Sequence, residues 1–161
     1  MNEKEDVVGK RRTNLLRHID NVRNNCILLS AKLIENGEIE LGHQLIAKGY
    51  GHDQSKFYGI EWTYLNEEAR EKYPDLFKAA LLQHVSGNRH HPEAWAGGIK
   101  QMDRLHRAEM VCDWAARSSE FGKDLREWIK KEATKRFDFS LQSGAYKEIK
   151  GLVDMLLDNS F

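Results

Sequence analysis

The stretch LLRHIDNVRNNCILLSAKL, residues 15–33, decides the fold class because its apolar side chains recur every three or four residues. That spacing places them on one face of an α-helix. A second stretch of the same kind, residues 103–121, ends just before Gly122, where a helix C-cap is expected. No part of the chain shows the sustained period-two alternation of half-buried strands, so the sequence predicts an all-α fold.

Five shorter segments also carry helical patterns. They are residues 40–48, 60–72, 75–84, 125–136 and 146–157. The chain of 161 residues has the size of one ordinary domain and shows no internal repeat and no linker-like stretch. We therefore expect a single-domain helical bundle over residues 1–161, with a core at about 13–157 and a flexible segment at 1–12.

The charge balance and the short apolar runs limit the classes of partner. Lysine and arginine together number 25, as do aspartate and glutamate, so the chain lacks the basic excess typical of proteins that bind long nucleic acids. No apolar run approaches the roughly 18 residues of a membrane helix, and the first residues carry no signal-peptide pattern. We expect a cytoplasmic protein with a small-molecule partner, no membrane contact and reduced thiols at Cys26 and Cys112. The sequence leaves homo-oligomerisation open.

Two histidines and two aspartates, distributed along the chain, predict a divalent-metal site. His18 lies on the apolar face of the first long helix, where a core histidine with a satisfied ring is the ordinary alternative. Asp113 falls at the margin of the apolar face of the second, where an unpaired carboxylate would be costly. With His52 and Asp53 they form a mixed nitrogen and oxygen set that suits Mn²⁺, Fe²⁺, Co²⁺, Ni²⁺ or Zn²⁺.

Three more histidines follow within eight residues, around a turn that contains glycine and asparagine. His84 ends a predicted helix, and His90 and His91 are adjacent in the loop after it. Loop histidines are often solvated and idle, but the company of a His-Asp pair favours a functional role. Arg89 is a candidate to hold a phosphate, with an ordinary solvated loop arginine as the alternative. Trp95 is a candidate to stack on a base, with core packing as the alternative.

The order of these residues resembles the HD-domain superfamily of metal-dependent phosphohydrolases. Residues 52–56, HDQSK, look like the HD-x-x-K form of the HD-GYP and related phosphodiesterases, and residues 90–93, HHPE, are similar to their HHE segment. The G-Y-P signature of those enzymes is absent. Over roughly residues 18–156, the stretches HDQSKF, HHPEAW and EMVCDW look closer to a family of small uncharacterised HD-like proteins of phages and bacteria.

The resemblance implies a helical bundle of the HD-domain type and assigns its metal ligands. It implies a first ion held by four residues, which are His18, His52, Asp53 and Asp113. Asp53 would bridge to a second ion, as in binuclear members, and His84 with either His90 or His91 would complete that second site. Lys56 would face the bound phosphate, with an ordinary surface lysine as the alternative.

We therefore expect a metal-dependent hydrolase, a nucleotidase or phosphodiesterase, acting on a small phosphate ester such as a nucleotide or nucleotide derivative. Attack by metal-bound water needs one or two divalent ions, among Mn, Fe, Co, Ni, Zn and Mg, and no nucleophilic serine or cysteine. Asp53 and Lys56 are the candidate catalytic residues, and Lys56, Arg89 and Trp95 the candidate substrate-binding residues. The alternative is a noncatalytic HD-like protein that binds a nucleotide or a metal without turnover.

Overall fold

The computed structural model describes residues 3–158, with side chains from residue 7 onward, and within them every regular element is helical. The helices are α1 (Glu3–Glu35), α2 (Ile39–Gly51), α3 (Gly59–Tyr64), α4 (Glu67–Lys72), α5 (Pro74–Gly87), α6 (Arg104–Glu120), α7 (Leu125–Trp128), α8 (Thr134–Arg136) and α9 (Gly144–Leu157). Short 3₁₀ turns cover Gln54–Phe57, Pro92–Ala94 and Gly98–Lys100, and a π turn at Ile129–Ala133 joins α7 to α8. The predicted all-α, single-domain class is confirmed.

Two helical segments differ most from the sequence prediction. Residues 3–12, which we placed outside the core, form the first turns of α1. In this segment the Arg11 guanidinium lies 4.4 Å from the ring centre of Trp62. The helix predicted over 60–72 is instead divided into α3 and α4. Asn66 causes the break, because its extended backbone leaves the helix and its side chain accepts a hydrogen bond from the Ala69 backbone amide at the start of α4.

The hydrophobic core lies where α1 packs against α2, α6 and α9. Leu29 and Leu33 of α1, Leu45 of α2 and Ile149 of α9 are fully buried there. Each such leucine contributes roughly 2 kcal/mol through burial alone. This tightly packed part fixes the position of α1 relative to α6, and each of these two helices carries part of the polar site described below.

A glycine on α2 allows a close contact with α1. A Cβ atom at Gly49 would lie 2.8 Å from the Cys26 Cβ atom, so a larger residue would push α2 away from α1. Cys26 and Cys112 are both buried and free, as expected for core thiols. No helix in the described part of the chain is long and apolar enough to cross a bilayer.

Candidate metal centre

Four histidines and two aspartates meet at one end of the helical core. We call this set the metal cluster; its members are His18, His52, Asp53, His84, His90 and Asp113. They come from α1, the end of α2, α5, the loop after α5, and α6. All are buried except Asp113, whose side chain is 13% exposed. The sequence therefore predicted a set of distant residues that the fold brings together.

Half of the cluster surrounds the carboxylate of Asp113. The His18 Nε2 atom lies 3.1 Å from Asp113 Oδ1, and the His52 Nε2 atom lies 3.9 Å from the same oxygen. His52 Nε2 is also 3.6 Å from Asp53 Oδ2. Neighbouring ligand atoms around one divalent ion are about 3.0 to 3.4 Å apart, given bond lengths near 2.1 Å. These separations match such a shell or slightly exceed it.

The other half of the cluster surrounds the second oxygen of Asp53. The Asp53 Oδ1 atom lies 3.4 Å from His84 Nε2 and 3.5 Å from His90 Nε2. The His91 Nε2 atom lies 3.0 Å from His84 Nε2. Asp53 thus turns one oxygen toward each half of the cluster, which is the arrangement a bridging ligand requires. Its backbone is in the left-handed region, with φ of 55°, a conformation uncommon for residues other than glycine.

Several buried polar atoms of the cluster have no hydrogen-bond partner. They are His18 Nε2, His52 Nε2, His90 Nε2, Asp53 Oδ1 and Asp113 Oδ1. Leaving even one such atom unsatisfied costs about 1–3 kcal/mol. Three of the five atoms belong to the Asp113 half of the cluster and two to the Asp53 half. A divalent cation in each half would satisfy them, so the donor set fits metal ions.

Three buried or half-buried glutamates hold the rings of the cluster histidines from behind. We call Glu61, Glu109 and Glu120 the supporting carboxylates. Glu120 Oε1 is 3.0 Å from His18 Nδ1, and Glu61 Oε2 is 2.9 Å from His84 Nδ1. Because each glutamate accepts a hydrogen bond from the Nδ1–H group, the Nε2 lone pair of the ring is directed toward the cluster, as in metal-bound histidines.

Glu109 supports two rings with one oxygen. Its Oε1 atom lies 3.1 Å from His52 Nδ1 and 3.2 Å from His90 Nδ1. These two histidines belong to different halves of the cluster, so Glu109 ties the halves together. Its other oxygen, Oε2, is buried without a hydrogen-bond partner, and the nearest cation is Lys48 Nζ at 3.9 Å.

The supporting carboxylates had no predicted role. Glu109 precedes Asp113 by four residues and Glu120 follows it by seven, so all three share a face of α6. That helical spacing could have identified Glu109 and Glu120 from the sequence as neighbours of the site. Glu61 lies in the short helix α3, where no such spacing relates it to His84, and its role is visible only in the folded chain.

The charged groups shift one another's pKa values strongly. Burial disfavours the charged form of His52, but the carboxylates of Asp53, Glu109 and Asp113 outweigh it and raise its pKa to about 9. Burial also opposes the ionised form of Asp113, yet the imidazole rings around it hold its pKa well below the usual range. Burial and the neighbouring rings of His90 and His84 lower the pKa of His91 to about 3. The site therefore holds ionised carboxylates at neutral pH, as cation binding requires.

The predicted catalytic lysine lies next to the cluster. Lys56, in the 3₁₀ turn after Asp53, places its Nζ atom 2.6 Å from Asp53 Oδ2. It also lines a cavity of about 1170 Å³ that reaches His84, His91 and Asp113. Lys56 is thus positioned both to neutralise Asp53 and to meet an anion in the cavity.

The predicted substrate contacts Arg89 and Trp95 are brought together, but away from the cavity. The Arg89 guanidinium lies 3.9 Å from the centre of the Trp95 ring, and the Trp95 indole donates to the Arg89 carbonyl oxygen. Neither residue is among those that line the cavity. The pair stabilises the loop that carries His90, with the edge of the Trp95 ring facing His106.

Comparison with known proteins assigns the chain to a family but adds no activity. No curated protein and no solved structure matches it. Residues 8–154, which include every member of the metal cluster and all three supporting carboxylates, match the family DUF5662. The chain therefore belongs to DUF5662, a family of unknown function.

Proposed function

We propose that this protein is a metal-dependent phosphohydrolase of the HD type that hydrolyses a small phosphate ester, with nucleotides as the first class to test. The observation that carries the proposal is the set of five buried, unpartnered atoms in the two halves of the metal cluster. A divalent cation binds imidazole lone pairs and carboxylate oxygens together. The HD resemblance supports the same conclusion, because the motif residues from five separate segments meet in space.

The ligand arrangement favours two ions. His18, His52 and Asp113 form one group, and Asp53 with His84 and His90 or His91 forms another. Geometry favours His90 over His91 as the cluster ligand, because Glu109 orients its Nδ1 while its Nε2 has no partner. His91 instead reaches the cavity.

Bound divalent ions supply two things to phosphate-ester hydrolysis: they lower the pKa of a bound water toward neutrality and they polarise a phosphoryl oxygen. The protein's own residues position and neutralise the substrate. Lys56 supplies a positive charge beside Asp53, where it can balance negative charge that develops on the phosphoryl oxygens. Arg117, which also lines the cavity, adds a second cation.

Metal content and hydrolysis, measured on the same samples, test the proposal. The wild-type protein should retain close to two Mn²⁺ ions per chain by elemental mass spectrometry and hydrolyse p-nitrophenyl phosphate, bis-p-nitrophenyl phosphate or a member of a nucleotide panel. Asp53→Asn should lose both properties. Asp138→Asn is the matched control, because Asp138 also has a positive φ but its side chain is fully exposed.

The outcomes separate the two functions under consideration. Hydrolysis that survives both chelation and Asp53→Asn contradicts the proposal. Retention of close to one ion would support a mononuclear enzyme. Metal binding that depends on Asp53, without turnover of any ester, would support the noncatalytic HD-like binding protein.

A further inference from the structure

The cavity beside the metal cluster is larger than a phosphate group needs. Its volume of about 1170 Å³ slightly exceeds the roughly 300–1,000 Å³ of pockets that enclose whole organic ligands. Its deep end is formed by buried His84 together with His91 and Asp113. The remainder extends away from the cluster toward solvent, so a bound ester would place its organic group there.

The solvent side of the cavity has one apolar wall. Asn14 and four charged residues whose formal charges cancel, Arg11, Glu67, Glu68 and Arg136, line the rest of it. The first turns of α1 contribute Val8 and Leu15, and the opposite wall contributes Tyr64, Tyr73 and Leu81. Val8, Tyr73 and Leu81 are 49%, 54% and 41% exposed, which is substantial for apolar side chains that share one concave surface. The Tyr64 and Tyr73 rings meet edge to face, with centres 6.1 Å apart, and present a rigid aromatic surface.

Two polar side chains within this wall already have partners. Asn66 accepts from the Ala69 amide and donates to the Thr63 carbonyl oxygen, and the Thr63 hydroxyl donates to the Gly59 carbonyl oxygen. Their hydrogen-bonding groups are therefore engaged in holding α3 and α4. This wall therefore interacts with a ligand through contact area and not through hydrogen bonds.

Two cations beside the metal cluster complement the apolar wall. Lys56 lies beside Asp53, and Arg117 is linked to the cluster through Glu120, whose Oε2 accepts from the Arg117 guanidinium at 3.1 Å while its Oε1 accepts from His18. An anionic group is therefore favoured close to the cluster. The ligand that matches both ends carries its charge on one side and an apolar group on the other.

We infer that the cavity selects phosphate esters with an apolar, preferably aromatic, organic group, and that the first turns of α1 with Tyr64, Tyr73 and Leu81 bind this group. The inference rests on the proposed function, because it takes the phosphate to lie at the metal cluster. It gives residues 7–15, which the sequence placed largely outside the core, a role in substrate selection. Recognition of the organic group then depends on shape and apolar contact.

Two non-hydrolysable probes test the inference by equilibrium binding. Methylphosphonate and benzylphosphonate share the anionic group and differ by one phenyl ring. Titrated calorimetrically into Mn²⁺-loaded protein, benzylphosphonate should bind roughly tenfold more tightly or better, as expected when an aryl ring leaves water for an apolar wall. Equal affinities would overturn the inference and leave the proposed function intact. Failure of both probes to bind the loaded protein would overturn both.

Adjacent leucines on α5 provide a matched pair of variants. Leu81 lines the cavity, whereas Leu82 does not, and both are exposed enough (41% and 66%) for substitution without loss of the fold. Leu81→Ser should reduce the preference for benzylphosphonate over methylphosphonate about threefold or more, whereas Leu82→Ser should leave this preference unchanged. Tyr73→Ser, with exposed Tyr58→Ser as its control, provides a second pair. An undiminished preference in both Leu81→Ser and Tyr73→Ser would contradict the assigned wall.

Discussion

Manganese binding should tighten about tenfold for each unit of pH between 6 and 8. In the metal-free protein the pKa of His52 is raised to about 9, so at pH 7 only about one per cent of its rings are neutral. A protonated imidazole cannot bind a metal through Nε2, and binding must therefore expel a proton. The apparent dissociation constant at pH 6 should exceed that at pH 8 by about a hundredfold.

Isothermal titration calorimetry measures both the affinity and the released proton. Titrations in two buffers with different ionisation enthalpies should show about one proton released from His52 per chain at pH 7. His43→Gln, at an exposed position, should retain this behaviour and serves as the control for His52→Gln. An affinity that does not change with pH, or a binding heat that does not depend on the buffer, would refute the assignment of His52 as a charged residue that becomes a ligand.

Three further predictions concern stability and individual residues. In the metal-free protein, the His52 pKa lies above its unfolded value near 6.5. The contribution of His52 to stability is therefore complete below pH 6.5 and is lost as the pH rises through 9. The urea midpoint of unfolding should fall over that interval. Glu109→Ala frees the Nδ1 atoms of His52 and His90 and should weaken Mn²⁺ binding by about 10- to 100-fold in calorimetry, whereas Glu93→Ala at an exposed position should not. Lys56→Ala should lower turnover of p-nitrophenyl phosphate while elemental analysis finds the metal retained; loss of the metal would contradict its assigned role.

The long helices were predictable because their apolar periodicity is set by core packing. In α1, Val22, Cys26, Leu29 and Leu33 recur at helical spacing and are all fully buried. The break between α3 and α4 was not predictable from that pattern. It depends on Asn66, whose side chain competes with the backbone for hydrogen bonds, and such competition is decided by the local conformation.

The metal cluster was predictable in composition but its organisation was not. Adjacent His52 and Asp53 are visible in the sequence, whereas the division of the two Asp53 oxygens between the two halves of the cluster depends on the left-handed backbone there. The positions of the Arg89 and Trp95 side chains could not be predicted from the sequence either. Proximity to His90 along the chain does not determine which side of the loop a side chain occupies.

The charge balance of the site links the number of metal ions to the capture of an anion. The metal cluster and the supporting carboxylates contain five negative charges, and the nearby cations Lys48, Lys56 and Arg117 leave two of them unbalanced when the histidines are neutral. One divalent ion would only neutralise the site. Two ions make the site net positive by two charges, in a buried setting where Coulomb forces are weakly screened. Anion binding should therefore depend on the second ion, and the Asp53 carboxylate, shared by both halves, connects metal loading to substrate capture.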